Sequence, residues 1–409
     1  MRILHTSDWH LGHSLFNRKR FDEFQSFLFW LKKQIKEMGV DVLLISGDIF
    51  DTSTPSTQAQ ELYYEFLSAI ARETTCRRVF VTAGNHDSAS FIEAPKTLLK
   101  TLKVDVVGKI THNPSDEVFV VCDDMGKQQL IVCAVPYLRE KDLRCARQGE
   151  GTQDREKRTL QAIAEHYRAV VESAILCRNS PDIPIVAMGH LYVAGSITKE
   201  RLLGQPDPLY VGSLGQVPVD IFPSELSYVA LGHIHMPQVV AAKENIQYSG
   251  SPLPMSFLEA QTAKRVVIVD IEPNQPVEIK SLSVPNFQEL IQIKGDWSLI
   301  ESKINKLKSD NSKAWLEVIY ESPIVIGELR ARVQQLIVGS ELEVLRIKNN
   351  QIVKEALSRT KTQKDLEQLT PEDVFEYCLK ENRVDQKQQE TLRSLYREVL
   401  DSLELKGQQ

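Results

Sequence analysis

Arg2-Ile3-Leu4-His5-Thr6-Ser7-Asp8-Trp9-His10 opens the chain with a short apolar run, followed at once by a carboxylate and an imidazole two residues apart. The same grammar returns downstream. Val40 to Ser46 is an apolar run of buried-strand length that ends on Gly47-Asp48, and Arg77 to Thr82 leads into Gly84-Asn85-His86-Asp87. Between these runs, Arg18 to Met38 has helical periodicity, with Phe21, Phe24, Leu28, Leu31 and Ile35 on one face, and Pro55 to Arg72 also reads as helix. Strand, helix, strand, helix, strand in that order predicts parallel strands joined by right-handed crossovers.

Farther along, short paired strands are expected over 117–135, a charged helix over 154–178, and strands near 184–189, 227–232 and 265–272. Residues 1–285 therefore predict one α/β domain, a two-sheet sandwich flanked by helices. Near 286 the pattern changes. Leu290 to Ile293, Trp297 to Leu307, Trp315 to Tyr320, Ile326 to Ile337 and Leu342 to Ile347 alternate strand and helix, which predicts a small α+β domain over 286–347.

The remainder, 348–409, begins with a polar stretch from Lys348 to Gln368 that reads as a linker or a solvated helix. Two amphipathic helices follow, at 370–379 and 391–403. The first starts on Thr370-Pro371-Glu372-Asp373, with a capping threonine, a proline at the first helical position and acids in the first turn. Such stripes need burial. They pack on each other, on the body of the chain, or on another subunit, and the polar stretch before them favours the last.

A chain of 409 residues exceeds one ordinary domain, and 42% hydrophobic with 25% charged residues is the composition of a globular protein. Apolar runs such as Phe27 to Leu31 fall far short of the ~20 residues of a membrane span, and no signal-peptide pattern follows Met1. A cytoplasmic protein with no membrane contact is expected. The six cysteines are scattered without a CxxC pair, which argues against a disulfide framework or a zinc ribbon. The net charge of −6 taken alone disfavours a nucleic-acid partner. Bound cations or a basic partner subunit would reconcile the two.

The chemistry concentrates at predicted strand ends, where open α/β sheets place ligands. Asp8 with His10, Asp48, Asn85 with His86, His190, and His233 with His235 all fall there, and five of the nine histidines lie within these motifs. Residues two apart on an extended segment share a side, so Asp8 and His10, or His233 and His235, can grip one ion. Glycines before Asp48, Asn85, His190 and His233 permit tight turns and close approach. Carboxylate, imidazole and amide oxygen without thiolate suit manganese, zinc or iron, as a pair of ions sharing one carboxylate. Any one motif alone would more often be an accident; all of them in a single chain argue for a metal site. His5 is expected to be structural, His13 to lie near the site, and His112 and His166 to sit at the surface. Arg18-Lys19-Arg20, Arg139, Lys141 and Arg144 are read as solvated faces ahead of phosphate contacts.

In this order the motifs resemble the calcineurin-like metallophosphoesterase superfamily. The strings Arg2 to Gly12, Gly47-Asp48-Ile49-Phe50-Asp51, Ala83 to Ser88, Ala230 to His235 and Tyr248-Ser249-Gly250-Ser251-Pro252 narrow the likeness to the bacterial SbcD nuclease subunits. The resemblance implies one metal held by Asp8, His10, Asp48 and His235. A second is held by Asp48, Asn85, His190 and His233, with Asp48 bridging. His86 matches the catalytic histidine, which is not a ligand. Manganese-dependent cleavage of DNA is implied, endonucleolytic on single strands and hairpins and 3′–5′ exonucleolytic on duplex ends. So are an SbcC-type ATPase partner, a homodimer within a heterotetramer, a capping role in DNA binding for 286–347, and partner docking by the tail. Archaeal and eukaryotic relatives carry a further active-site histidine where this chain has Asp51, as bacterial members do, so no role transfers there. The same ligands also serve small-nucleotide phosphodiesterases and phosphomonoesterases, and some relatives are inactive scaffolds. The extra domain and tail weigh against the former, and the intact ligand set with His86 against the latter.

Overall fold

The computed structural model describes residues 1–143, 152–197, 210–211, 214–322 and 328–349, with single helical positions at 375, 379, 389, 390, 393 and 396. Two six-stranded sheets form the body. In the first, Arg2–Thr6, Val42–Ser46, Arg78–Thr82 and Val104–Val107 run parallel, and Arg265–Asp270 and Glu278–Ser283 extend it antiparallel. In the second, Gln128–Ala134, Ile185–His190, Leu226–Gly232 and Lys243–Tyr248 are parallel, with Val118–Cys122 and Gln238–Val240 antiparallel at its edges.

Alternation along each strand divides the core. Ile3, Val42, Leu44 and Phe80 of the first sheet meet Val132, Val186, Met188 and Tyr228 of the second in one buried layer between the sheets. Their neighbours Leu4, Leu43, Ile45 and Val81 face outward, against Phe24, Phe27 and Leu31 of helix Phe21–Glu37 and Leu67 and Ile70 of helix Thr57–Glu73. Ile185, Ala187, Val229 and Leu231 likewise back onto Ile163, Tyr167, Val170 and Ala174 of helix Thr152–Cys177. Strands buried on both faces read as continuous apolar runs for this reason. The two-sheet sandwich with outer helices is the expected architecture.

A separate three-stranded parallel sheet, Leu290–Gly295, Trp315–Tyr320 and Glu343–Asn349, has its own core of Ile293, Leu316 and Val318 under Ile300, Ile304 and Val333. The last strand includes Lys348 and Asn349, which the sequence pattern assigns to a polar stretch. That sheet touches the body through Leu15 and Phe257, which cluster with Leu290 and Trp315. Beside them, the Phe16 ring stacks on Phe257 with centroids 5.9 Å apart, and the Arg346 guanidinium lies 4.8 Å from the Phe16 centroid.

The rest of 348–368 and nearly all of helices 370–379 and 391–403 fall outside the described residues. Where the tail is described, the Phe375 and Tyr396 rings stack with centroids 4.0 Å apart and Leu379 is buried. Among the described residues no helix is long and apolar enough to cross a membrane.

Several expectations change. The first helix begins at Phe21, because Ser14–Leu15 and Arg18–Lys19 pair as a hairpin whose turn residues Phe16 and Asn17 have φ of 47° and 69°. Arg20, expected on a solvated face, is buried and grips Glu23 with one terminal nitrogen at 2.6 Å and its ε nitrogen at 2.8 Å. His166 is buried rather than superficial, with Nε2 2.9 Å from Glu117. Arg139 is tied to the carbonyl of Asp87 at 2.7 Å, while Arg144 lies outside the described residues.

Candidate metal centre

Each candidate ligand leaves the C-terminal end of a parallel strand. Asp8 and His10 follow Arg2–Thr6, Asp48 follows Val42–Ser46, and Asn85 and His86 follow Arg78–Thr82. From the second sheet, His190 ends Ile185–His190, and His233 and His235 follow Leu226–Gly232. Both sheets therefore deliver ligands to one edge of the sandwich.

The backbone reaches this arrangement by a route the spacing argument did not foresee. Asp8, His10, Asp48 and His233 have φ of 53°, 49°, 48° and 100°. They stand in the left-handed region and not on extended strand, a strained conformation that side-chain-bearing residues adopt mainly at functional sites. The glycines act chiefly through space. A Cβ on Gly84 would lie 2.2 Å from Asp48 Oδ1, and one on Gly232 would lie 2.0 Å from the Ser46 carbonyl oxygen.

Asp48 occupies the centre. Its Oδ2 lies 3.6 Å from His10 Nε2 on one side and 3.3 Å from His190 Nε2 on the other. On the first side His10 Nε2 is 3.1 Å from His235 Nε2, and Asp8, His10 and His235 can converge on one ion. On the second, Asn85 Oδ1 is 3.1 Å from His190 Nε2 and 2.8 Å from His233 Nδ1, and Asp48, His190 and His233 form another convergent set. Ligand atoms about 2.0–2.2 Å from a common ion stand roughly 3 Å from one another, so these spacings fit two cations. The donor chemistry fits as well: carboxylate, imidazole and amide oxygen, suited to borderline divalent ions.

The fields agree with the geometry. Burial alone would raise the Asp48 carboxyl, but His190, then His10 and His86, hold it well below the usual carboxylate range. Burial would lower His190, yet Asp48 and Asp8 with the Ser46 carbonyl lift it to about 9. A cluster that attracts protons this strongly also attracts cations.

His86 differs from the candidate ligands. It is exposed, its amide donates to Asp48 Oδ1 at 2.9 Å, and its Nδ1 donates to the Asp51 carbonyl at 2.9 Å. Its ring nevertheless sits 4.9 Å from that of His10, and His10, Asp48 and His86 are close enough to share an ion. Exposure and the committed Nδ1 leave Nε2 as the atom able to act on a substrate.

Residues 1–237 match the family model described as calcineurin-like phosphoesterase, and residues 286–383 match the SbcD C-terminal model, described as type 5 capsule protein repressor C-terminal domain. The SbcD subunit of the SbcCD nuclease from Escherichia coli (strain K12) is 30% identical over 405 residues, 98% of each chain. Its namesakes from Bacillus subtilis (strain 168) and Rhodobacter capsulatus are 33% and 35% identical over 78% and 66% of each chain. The chain belongs to the SbcD nuclease-subunit family. As an SbcD-type calcineurin-like phosphoesterase it is a metal-dependent phosphodiester hydrolase that uses divalent ions.

Three residues around the SbcD-type centre carry no role in the sequence reading. Asp51 Oδ1 lies 3.0 Å from His13 Nδ1 and 3.3 Å from His10 Nδ1, and these histidines hold its carboxyl well below the usual range despite burial. Glu259 and Lys264 are buried behind His235. Asp51 is marked in the sequence as the position where archaeal and eukaryotic relatives carry a histidine, though without a role; nothing local marks Glu259 or Lys264. His5 is structural as expected, with Nδ1 2.9 Å from the Tyr228 hydroxyl and burial pushing it down to about 3.

Proposed function

We propose that this protein cuts DNA phosphodiesters with two manganese ions, one held by Asp8, His10, Asp48 and His235 and the other by Asp48, Asn85, His190 and His233. The observation that carries the reading is Asp48 Oδ2, set between His10 at 3.6 Å and His190 at 3.3 Å, where one carboxylate can serve both ions. When bound, such a pair lowers the pKa of water and clamps the attacking and leaving oxygens of an in-line displacement.

The protein's own groups do the rest. Asp48 neutralises charge between the two positions. The Ser46 carbonyl accepts from His190 Nδ1 at 2.9 Å and so turns Nε2 toward the centre. His86, oriented by the Asp51 carbonyl, assists the departing 3′ oxygen as acid or as positive charge.

The reading extends to endonuclease action on single strands and hairpins, 3′–5′ exonuclease action on duplex ends, and work in repair and recombination in the cytoplasm. Residues 1–285 are the nuclease domain and 286–347 a capping domain for DNA. Residues 348–409 dock an SbcC-type ATPase, with two nuclease subunits in a heterotetramer. Support comes from the separate core of the second domain and from the length over which the E. coli nuclease subunit is matched. The test compares hairpin DNA with a small chromogenic phosphodiester in manganese, with and without the ATPase and ATP. Preference for the small ester in every condition would make the chain a small-nucleotide phosphodiesterase instead.

A further inference from the structure

The stretch Tyr248-Ser249-Gly250-Ser251-Pro252 supplies no ligand in the proposed assignment, yet it touches three segments that do. The Tyr248 hydroxyl donates to the Leu191 carbonyl at 2.7 Å and accepts from the Val193 amide at 2.9 Å, which fixes the chain just beyond His190. Ser249 Oγ is 2.8 Å from Ser7 Oγ, which donates to Asp8 Oδ2 at 2.5 Å. At Gly250, with φ of +74°, a Cβ would lie 2.8 Å from the His235 carbonyl oxygen. The Ser251 amide donates to that same oxygen at 3.2 Å.

Behind His235 lies a buried ion pair. Glu259 Oε1 is 3.4 Å from His235 Nδ1, and Glu259 Oε2 accepts from the Met255 amide and from Lys264 Nζ, each at 3.0 Å. Lys264 Nζ also donates to Ser251 Oγ at 2.9 Å and to the His235 carbonyl at 3.1 Å. The two side chains are 3% and 6% exposed. Desolvating such a pair costs as much as its attraction returns, so fold stability alone is a weak reason for it. The pair instead grips one histidine twice, at ring and carbonyl. At His190 a neutral carbonyl, that of Ser46, meets Nδ1 instead.

We propose that Glu259 and Lys264 are positioning residues that aim His235 Nε2, and thereby set the ion position shared with Asp8 and His10 while leaving the His190–His233 position untouched. The inference rests on the two-ion reading above. Glu259 accepts a hydrogen bond from the Nδ1–H of His235, the tautomer that leaves the Nε2 lone pair free for the ion. Lys264 holds both the carboxylate and the main chain to which the ring is attached. Carboxylates that back a ligating histidine in this way typically carry a 10–100-fold effect on metal affinity.

The test is calorimetric titration of the full chain with manganese alone, comparing wild type with Glu259→Gln and Lys264→Met, alongside melting of the metal-free proteins and steady-state cleavage of hairpin DNA. Wild type is expected to take up two ions. In each variant one binding step should weaken roughly 10–100-fold while the other keeps its affinity. kcat should fall with KM for DNA unchanged, and raised manganese should restore kcat. Unchanged binding, or equal weakening of both steps, in a variant that melts like wild type would overturn the proposal. Should Lys264→Met not fold, Ser251→Ala removes one of its contacts and is held to the same one-step outcome on a smaller scale. A wild type that binds fewer than two ions would instead sink the two-ion reading itself.

Discussion

The Nε2 atoms of His10 and His235 face each other at 3.1 Å. Two imidazoles brought together this way share a single proton at best, whereas a cation between them satisfies both lone pairs and the adjacent Asp8 carboxylate. Chelation should therefore abolish hydrolysis and lower the melting temperature, with manganese restoring both. Ligand linkage sets the scale, about 2.7 kcal/mol at a hundredfold excess over Kd. Scanning calorimetry with and without chelator is the check, and superimposable melts would argue against ions at this edge.

Protons stand in for cations when the latter are removed. Burial opposes the charged form of His190, but Asp48 and its neighbours lift the group from 6.5 to about 9. A folded value above the unfolded one gives stability that is complete below pH about 6.5 and is lost as pH rises through about 9. Metal-free protein should accordingly melt at progressively lower temperature across that interval. Asp48→Asn should flatten the decline. A melting temperature that climbs from pH 6.5 to 9 would contradict the assignment.

His86→Ala should keep both ions and DNA binding yet lose most turnover. A group that acts on the departing oxygen contributes in the transition state, so kcat falls while affinity hardly moves. The expected factor is roughly 10²–10⁴. Manganese titration separates the outcomes: loss of an ion would make His86 a ligand, as its closeness to His10 and Asp48 allows.

Gly84→Ala isolates the role of space, because Gly84 is not among the residues at positive φ. The added Cβ would lie 2.2 Å from Asp48 Oδ1 and 2.4 Å from the Asp48 amide nitrogen. Overpacking of this kind costs about 1–3 kcal/mol and here falls on the central carboxylate. Stability should drop by that amount, and manganese affinity by more than stability alone explains. Denaturant titration beside calorimetry is the measurement, and a neutral substitution would show that the turn has slack.

The sandwich was legible because strands buried on both faces leave apolar runs, and because the candidate ligands at their ends interrupt those runs with polar residues and glycine. The structure brings Asp8, His10, Asp48, Asn85, His190, His233 and His235 to one edge. Backbone form was less legible: the two-residue spacing of Asp8 and His10 suggested extended chain, whereas both are left-handed. The hairpin before Phe21 carried a usable sign in Asn17, a residue tolerant of the left-handed region, but the apolar periodicity of the following helix drew its start too early. His166 shares the apolar face of its helix with Ile163, Tyr167 and Val170, so its burial could have been read. Glu259 and Lys264 could not, since their purpose lies in contacts with His235 that are 24 and 29 residues away.

Ligands for each proposed ion come from both sheets, His10 and His235 of the first ion being separated by 225 positions along the chain. On the two-ion reading the ions act as reversible cross-links that close very long loops, and closing a long loop restrains the unfolded chain more than closing a short one. They also join parts that cannot meet until both sheets have formed and docked. On that reading, metal capture is expected late in refolding, after the sheets have docked, and loaded protein is expected to unfold more slowly than metal-free protein.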